Sequence, residues 1–328
     1  MNILVGVISP AAAWVMPRAF VDRLRGEFPQ HTVVDTWDFD GIRRLLPDAD
    51  AAFVPHVTRE MLASAPRLRW IQSPAVGVGH MLFPEMVASP VVITCARGIR
   101  ARAIAEHVLG VAIGLSRQLH TAVRRQVEHR WAQDELEGET TSILTLQGRR
   151  MGIVGLGSIG CEVARLAAAF GLRVSAVRRG VDHPKPDGIE EMLPAERLDD
   201  LLAVSDVVVL AVPHTSATNR LIGARELARM KPGALLVNIS RGTIVDDEAL
   251  VAALVRGHLG GAALDVFARE PLDSASPYWD LPNVIVTPHT SGAMADYWTP
   301  LVALFSENLH RFERGEPLLN VVDKHAGY

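Results

Sequence analysis

The sequence predicts an α/β protein with two parallel-sheet domains, and three observations lead to this fold class. The chain has 328 residues, which is more than one ordinary hydrophobic core takes, so two domains are expected. Short apolar runs alternate with amphipathic segments over about the first 100 residues, as in an open α/β unit. A second unit of the same kind is predicted from Met151 onward, where an apolar strand leads into a glycine-rich turn.

Composition and charge argue against several classes of protein. The formal net charge is only −4 at pH 7, and no block of Lys and Arg predicts nucleic-acid binding. The two cysteines, Cys95 and Cys161, stand in unrelated contexts, and no metal-ligand spacing occurs, so we expect neither disulfides nor a metal site. The N-terminal segment MNILVGVISP is predicted to be a buried strand rather than a signal or anchor. We therefore expect a cytoplasmic protein without membrane association.

The first unit contains no GxGxxG sequence. Strands are predicted at residues 2–8, 32–34, 51–54 and 70–72, and a helix at residues 17–28. Val76 and Gly77 follow the last of these strands, where open α/β sheets bind ligands. Their backbone N–H groups could hold a carboxylate, and a plain glycine turn is the alternative.

A long, almost wholly apolar segment separates the two units. Residues 102–119 are predicted to form one buried helix, placed between domains or subunits. Glu106 and His107 lie in it without a metal-binding spacing, so we assign them a supporting, structural role. The polar residues 123–142 are long for a loop, and we interpret them as an arm that reaches across a partner subunit.

The glycine-rich turn lies between a predicted strand and a predicted helix. Gly155 permits the sharp turn, Gly157 lets the backbone approach a pyrophosphate, and Gly160 lets the helix pack on the strand. Ser158 and Ile159 begin the helix, whose free N–H groups and dipole favour phosphate. Because glycines also recur in ordinary turns, it is the strand–turn–helix context that predicts dinucleotide binding.

The end of the next strand bears on the choice of cofactor. Residues 172–177 are predicted to form this strand, and Arg178 and Arg179 follow where an NAD site usually carries Asp or Glu. A guanidinium pairs well with a 2′-phosphate, so the sequence favours NADP. The alternative is that one arginine stacks on adenine and NAD still binds. Asp182 and Asp187 lie in a Pro/Gly-containing loop and are poorly placed for a ribose.

Later strands are predicted to end at the same crevice. Pro213 and His214, with Thr218 further on, are predicted to contact the cofactor, although a solvated loop histidine is the alternative. The strand at residues 235–239 continues through Ile239 and Ser240, also predicted cofactor contacts.

Arg241, Glu270 and His289 follow three strands and form a chemically coherent set. Reduction of a 2-keto acid needs a cation for the carboxylate, and arginine can bind a carboxylate through two hydrogen bonds. Histidine can give or take a proton near neutral pH, and a neighbouring carboxylate holds its tautomer. A lone loop histidine is more often structural, so its place in the set carries the prediction.

Several longer motifs give the sequence a family resemblance. They are VGLGSIG at 154–160, NISRGTIVDDEAL at 238–250, GAALDVFAREP at 261–271 and LPNVIVTPH at 281–289, with AVGVGHM and IAEHV as looser matches. In this order and spacing, the chain resembles the D-isomer-specific 2-hydroxyacid dehydrogenase family, including its glyoxylate/hydroxypyruvate reductases, over nearly its whole length.

The resemblance implies a fold of two Rossmann-like or flavodoxin-like domains with cofactor and substrate in the cleft between them. Residues 1–100 plus 293–328 would form the substrate-binding domain, and residues 101–292 the dinucleotide-binding domain. The chain is then expected to be a homodimer that uses NADP or NAD to interconvert a small 2-keto acid and a D-2-hydroxy acid.

The same resemblance implies individual roles for the site residues. Arg241 would bind the substrate together with the loop at Val76 and Gly77, and His289 would be the acid/base group partnered by Glu270. His289 would lie beside the nicotinamide, and Asp265 would contact its carboxamide.

One departure from the family pattern and two alternative functions remain open. The family often has Asp at the position of Gly79, where glycine is expected to alter loop stiffness rather than abolish catalysis. A 3-phosphoglycerate dehydrogenase-like enzyme shares the same site residues. A non-catalytic dinucleotide-sensing protein of the same fold is the alternative from a different class.

Overall fold

The computed structural model describes residues 1–8, 15–138, 143–180 and 184–327. The chain divides into two compact units, one formed by Met1–Ile99 with Ala295–Tyr328 and the other by Arg100–Met294. Each unit contains one parallel sheet flanked by helices, which confirms the predicted α/β fold class. The functional assignment of the two units remains a prediction.

The strands of the described residues are numbered in chain order. They are β1 Asn2–Val5, β2 Thr32–Asp35, β3 Ala51–Phe53, β4 Trp70–Gln72, β5 Val92–Thr94, β6 Arg150–Val154, β7 Arg173–Arg178, β8 Glu191–Pro194, β9 Val207–Leu210, β10 Leu235–Asn238, β11 Gly261–Leu264 and β12 Val284–Val286. The short strands β5 and β8 are absent from the sequence-based expectation.

The helices are numbered in the same way. They are α1 Arg18–Glu27, α2 Phe39–Leu45, α3 Arg59–Ala63, α4 Pro84–Ala88, α5 Ala101–Ser116, α6 Leu119–Val127, α7 Gln133–Glu137, α8 Ser158–Ala169, α9 Leu198–Val204, α10 Ala224–Arg229, α11 Asp247–Val255 and α12 Trp298–Arg314. No helix in the described ranges is long and apolar enough to cross a membrane.

The unit that contains the N-terminus is built on a five-stranded sheet with the order β2-β1-β3-β4-β5. All its strand pairs are parallel, so the carboxyl ends of the strands share one edge. The ring of Phe305 stacks with two other rings inside the unit. Its centroid lies 4.7 Å from that of Phe53 and 5.0 Å from that of Trp70. Trp298, at the start of α12, packs against the same core.

The second unit is built on a seven-stranded parallel sheet with the order β12-β11-β10-β9-β6-β7-β8. The chain order reverses at β6, because β7 lies on one side of it and β9 on the other. Crevices for ligands form at such a reversal, at the carboxyl ends of the strands. The glycine-rich turn follows β6 at this point.

The segment at residues 102–142 belongs to the second unit, and it differs from the expectation of one long helix followed by a loop. Helix α5 ends at Ser116, and Gln118 adopts a left-handed conformation with φ 56° before α6 begins. Much of the expected arm is helical, since α6 and α7 cover part of residues 123–138, and residues 139–142 lie outside the described residues. The break falls at the polar residues Arg117 and Gln118, where the expected helix continued to residue 119.

Candidate active site

Two glycines of the turn after β6 have no room for a side chain. Gly155 has φ 99°, and a Cβ atom there would lie 2.7 Å from the carbonyl oxygen of Ala211. A Cβ atom on Gly160 would lie 2.3 Å from the carbonyl oxygen of Gly155, far inside van der Waals contact. Backbone packing therefore requires glycine at both positions, as the strand–turn–helix interpretation predicts.

Gly157 differs from these two because a Cβ atom there would meet no heavy atom within 4 Å. It precedes α8, and no side chain caps this 12-residue helix at its N-terminus. The N–H groups of the first helical turn, which begins with Ser158 and Ile159, have no partner within the helix. Open space beside N–H groups at a helix start fits a pyrophosphate.

Arg178 is the last residue of β7 and lies next to this turn. The N–H of Gly155 donates to the carbonyl oxygen of Val177, with the two atoms 3.0 Å apart. Arg178 is half-buried and Arg179 is exposed. Asp187 is exposed in the following loop, and Asp182 lies outside the described residues.

The loop after β9 carries exposed Pro213 and His214. Thr218 closes this loop, because its hydroxyl donates to the carbonyl oxygen of Pro213 at 2.7 Å and accepts from the N–H of Thr215 at 2.8 Å. The hydroxyl of Thr218 is thus engaged in shaping the turn. Contact of these residues with a cofactor stays a prediction.

The residues that follow β10 are tied to neighbouring strand ends. Ile239 and Ser240 are buried, and the Ser240 hydroxyl donates to the carbonyl oxygen of Leu210 at 2.7 Å. The side-chain amide of Asn238 donates to the carbonyl oxygen of Arg241 at 3.1 Å. Arg241 itself is exposed, and its Nη1 donates to the carbonyl oxygen of Ser240 at 2.6 Å.

Gly242 joins the loop of Arg241 to the loop of Glu270. A Cβ atom at this glycine would lie 1.9 Å from the carbonyl carbon of Phe267 and 2.1 Å from the backbone nitrogen of Ala268. The two loops therefore meet backbone to backbone. The Phe267 N–H in turn donates to Oε1 of Glu270 at 2.9 Å.

His289 and Glu270, predicted as partners, are in direct contact. Nδ1 of His289 lies 2.7 Å from Oε2 of Glu270, and the His289 side chain is 49% exposed. His289 has φ 55°, and its N–H donates to the carbonyl oxygens of Asp265 at 2.9 Å and Thr287 at 3.0 Å. This backbone anchoring fixes the direction of the imidazole.

Asp265 is buried, and its carboxylate holds the His289 loop in place. The sequence did not predict this structural role. Its Oδ1 accepts from the Thr287 hydroxyl at 2.6 Å and from the Thr290 N–H at 2.8 Å, while Oδ2 accepts from the Ser291 N–H at 3.0 Å. The predicted contact between Asp265 and a nicotinamide carboxamide stays a prediction.

His107 on α5 supports the same loop. Its Nε2 lies 3.4 Å from the Thr287 hydroxyl oxygen. Burial lowers the pKa of His107, and the charge of Asp265 offsets this only in part. This contact agrees with the supporting role expected for His107. In the sequence, only the IAEHV motif indicated it.

The loop of Val76 and Gly77 belongs to the N-terminal unit and is anchored on three sides. The Ser73 hydroxyl accepts from the Ala75 N–H at 3.1 Å, and the Ala75 carbonyl accepts from the Ala96 N–H at 3.1 Å. The Tyr297 hydroxyl donates to the carbonyl oxygen of Pro74. Val76 and Gly77 remain exposed above these anchors.

Gly79, where the resemblance leads one to expect Asp, has open space around it. A Cβ atom there would meet no heavy atom within 4 Å. An aspartate would fit without displacing a neighbour. The glycine therefore reflects no steric demand of this fold.

Among the described residues, no group of three or more His, Cys, Asp or Glu side chains could hold a metal ion.

Comparisons with known proteins agree with this geometry. The family model of the D-isomer specific 2-hydroxyacid dehydrogenase, NAD binding domain, matches residues 109–291. A glyoxylate reductase from Korarchaeum cryptofilum is 34% identical, over 94% of this chain and 96% of that protein. A D-3-phosphoglycerate dehydrogenase from Mycobacterium tuberculosis is 37% identical, over 80% of this chain but only 49% of that protein.

A solved structure is similar over both chains in full. The NADPH-dependent glyoxylate/hydroxypyruvate reductase from Sinorhizobium meliloti, in complex with NADP and sulfate, has a TM-score of 0.83 and 29% sequence identity. It covers 100% of this chain and 100% of its own. The predicted family resemblance is thus confirmed, and the chain belongs to the D-isomer specific 2-hydroxyacid dehydrogenase family.

Proposed function

We propose that this protein is an NAD(P)H-dependent oxidoreductase that reduces a small 2-keto acid to the D-2-hydroxy acid. The observation that carries the proposal is the hydrogen bond between His289 and Glu270, with Nδ1 and Oε2 2.7 Å apart. A carboxylate-bound imidazole is equipped to give or take a proton. Family membership supplies the reaction class in which that proton is used.

Arg241 binds the substrate in this proposal. It follows β10, while Glu270 follows β11 and His289 follows β12, and these three strands are neighbours in one parallel sheet. Their carboxyl ends share an edge, so the three side chains serve one crevice. The guanidinium holds the substrate carboxylate and carbonyl oxygen, and the N–H groups of Val76 and Gly77 hold the carboxylate as well.

His289 delivers the proton to the carbonyl oxygen. Because Nδ1 faces Glu270, Nε2 is the nitrogen left to meet the substrate. Glu270 stabilises the charged imidazole and holds its orientation, and the Asp265 carboxylate fixes the backbone that follows His289 by accepting from the N–H groups of Thr290 and Ser291. A dihydronicotinamide, when bound, supplies the hydride for the carbonyl carbon.

The cofactor is held by the glycine-rich turn, and NADP is preferred over NAD. Gly157 and the start of α8, where the structure leaves open space, would hold the pyrophosphate. Arg178 and Arg179 pair with the 2′-phosphate. The Sinorhizobium meliloti relative, which is NADPH-dependent, supports this preference.

The unit Arg100–Met294 is the dinucleotide-binding domain, and the other unit is the substrate-binding domain.

The protein is a homodimer through the face of α6. Leu119, Val123 and Val127 repeat every four residues along this helix and are 51%, 58% and 78% exposed. Trp131 follows at 91% exposed. An apolar stripe of this kind is typical of a protein interface, and a second copy of the stripe is its occupant.

The first experiment is to follow oxidation of NADPH and of NADH at matched concentrations with glyoxylate, hydroxypyruvate, pyruvate and phenylpyruvate. Turnover that is faster with NADPH supports both the reaction and the cofactor preference. Faster turnover with NADH supports the reaction but contradicts the role of Arg178 and Arg179. Absence of turnover with every pair, despite measurable cofactor binding, contradicts the proposal and favours a dinucleotide-sensing protein.

The 3-phosphoglycerate dehydrogenase-like alternative is tested in the opposite direction. Oxidation of 3-phosphoglycerate is compared with oxidation of D-glycerate under the same conditions. A strong preference for the phosphorylated substrate would favour the alternative over the reductase proposed above.

A further inference from the structure

A rim of basic side chains follows three neighbouring strands of the N-terminal unit. Strands β3, β4 and β5 are adjacent and parallel, so the segments after them lie at one sheet edge. These segments are VPHVT at 54–58, SPAVGVGHMLF at 73–83 and CARGI at 95–99. They contribute His56, His80 and Arg97 but contain no Asp or Glu. This edge can therefore carry positive charge without an internal counter-ion from the same segments.

The two histidines of the rim are held against each other. Their ring centroids are 5.3 Å apart with planes 26° from parallel. Nε2 of His80 lies 3.0 Å from the carbonyl oxygen of Pro55, the residue before His56. His56 is half-buried and His80 is exposed. Two imidazoles from separate strand ends thus form one group.

Neither histidine of this pair has a carboxylate partner in the described part of the chain. The histidine–carboxylate contacts found there involve His31, His289 and His310. Burial lowers the pKa of His56, and the charge of His80 lowers it further. An anion bound beside the pair would oppose both effects by stabilising the protonated rings.

Two arginines, Arg59 and Arg97, lie in or directly after these segments. Arg59 on α3 pairs with Glu85 on α4, with Nε and Oε2 2.9 Å apart. The backbone of Arg97 accepts from the Asn320 side chain at 2.8 Å, and its guanidinium interacts with the Cys95 thiol. The guanidinium adds positive charge at the same edge, and the Arg59–Glu85 pair adds none.

The rim lies within reach of the loop proposed to bind the substrate carboxylate. His80 follows Gly77 by three residues, so their Cα atoms are at most about 10 Å apart. One carboxylate is already provided for by the N–H groups of that loop and by Arg241. A monocarboxylic keto acid would leave the rim unused.

We propose that His56 and His80, assisted by Arg97, bind a second carboxylate of the substrate, so that short 2-keto dicarboxylic acids are preferred over monocarboxylic ones. The inference rests on the proposed reductase function and names its substrate class. The His56 ring can donate an N–H to the second carboxylate. His80 already donates from Nε2 to the carbonyl oxygen of Pro55, so it can bind the carboxylate through Nδ1 only as an imidazolium, and binding should strengthen as the pH falls.

The test compares substrates of equal chain length. The kcat/KM value for oxaloacetate is divided by that for 2-oxobutanoate, and the value for 2-oxoglutarate by that for 2-oxopentanoate. Proton transfer by His289 is common to both members of each pair, so its pH dependence cancels in the ratio. We expect at least one ratio to exceed about 10 at pH 6, as charge-assisted hydrogen bonds allow, and to fall as the pH rises to 8.

The variants His56→Gln and His80→Gln identify the residues responsible. Each should raise KM for the dicarboxylic substrates with little change in kcat, and should leave the monocarboxylic substrates unaffected. His325→Gln is the matched control, since His325 is exposed in the same unit and follows Lys324, whose Nζ donates to the carbonyl oxygen of Val91, just before β5. That position is at the opposite end of the sheet from the rim.

Gly79→Asp provides a test that does not depend on removing a ring. A side chain fits there freely, and a carboxylate next to His80 should compete with the second carboxylate of the substrate. It should lower the ratio, whereas Gly79→Asn should not. Ratios near 1 in the wild type, or equal losses on both kinds of substrate in the variants, overturn the inference. Turnover of monocarboxylic keto acids in that case leaves the reductase function standing.

Discussion

The carboxylate of Glu270 is held at both of its oxygens, one by the His289 ring and the other by the backbone. Nδ1 of His289 lies 2.7 Å from Oε2, and the N–H of Phe267 lies 2.9 Å from Oε1. The backbone therefore holds the carboxylate of this acid/base pair directly, at Oε1. The two contacts of Glu270 can be tested separately by substitution. Glu270→Gln keeps the hydrogen bond from the Phe267 N–H and alters the contact with His289.

Replacement of His289 by glutamine should lower kcat by about 10²–10⁴-fold, the usual contribution of general acid catalysis. Glutamine retains polarity and approximate size but cannot transfer the proton. Cofactor affinity, measured by NADPH fluorescence titration, should change little. His129→Gln, at an exposed position, is the control. Turnover of the His289 variant close to that of the wild type would rule out the assigned role.

Glu270→Gln should lower kcat by about 10–100-fold, because a hydrogen bond to a charged group contributes about 1.5–3 kcal/mol. The amide oxygen can still accept from the Phe267 N–H, so the melting temperature should stay near that of the wild type. Glu270→Ala should lower both kcat and the melting temperature. If the glutamine variant is as unstable as the alanine variant, the two contacts are not separable as described.

Arg178→Asp should reverse the cofactor preference. The carboxylate repels a 2′-phosphate and can accept from a ribose 2′-hydroxyl, so KM for NADPH should rise and KM for NADH should fall. The measured quantity is the ratio of kcat/KM for the two cofactors. Arg173→Asp is the matched control, since it lies at the other end of β7 and pairs with Glu190. An unchanged ratio in the Arg178 variant would contradict the NADP assignment.

Glu162 should make stability depend on pH in the acid range. Hydrogen bonding to Arg165, with a further bond to Arg102, lowers the pKa of Glu162 from 4.5 to about 2 despite partial burial. A carboxylate with a lowered folded-state pKa stabilises the fold above its unfolded pKa, and this contribution is lost as the pH falls.

The melting temperature of Glu162→Gln should therefore lie below that of the wild type at neutral pH, with the difference shrinking below pH 4.5. Glu196→Gln, at an exposed position in the same unit, should show no such trend. A gap that stays constant down to pH 3 would show that Glu162 does not act through its charge.

Val127→Glu should dissociate the proposed homodimer, since it places a charge on the most exposed member of the apolar stripe of α6. Light scattering after size-exclusion chromatography measures the mass of the particle. Val255→Glu is the control, because Val255 is 67% exposed but lies on α11, away from the stripe. A monomeric wild type, or a dimeric Val127 variant, would contradict the proposed interface.

The sequence predicted those features that depend on short, ordered patterns. The glycine spacing identifies the turn after β6, and the residues at strand ends identify Glu270 and His289 as neighbours. It did not predict the break at Gln118, because the polar residues Ser116, Arg117 and Gln118 are also compatible with one further turn of a continuous helix. Nor did it predict that Asp265 organises the His289 loop, since that depends on N–H groups brought close only by folding.

The close contact at Gly242 limits how this enzyme can be redesigned. The loop of Arg241 rests on the backbone of Phe267 and Ala268, with no space for even one methyl group. A library that diversifies the residues around Arg241 should therefore keep position 242 fixed as glycine. Any side chain there would push the Glu270 loop away, so a change meant for substrate binding would also disturb the proton-transfer pair.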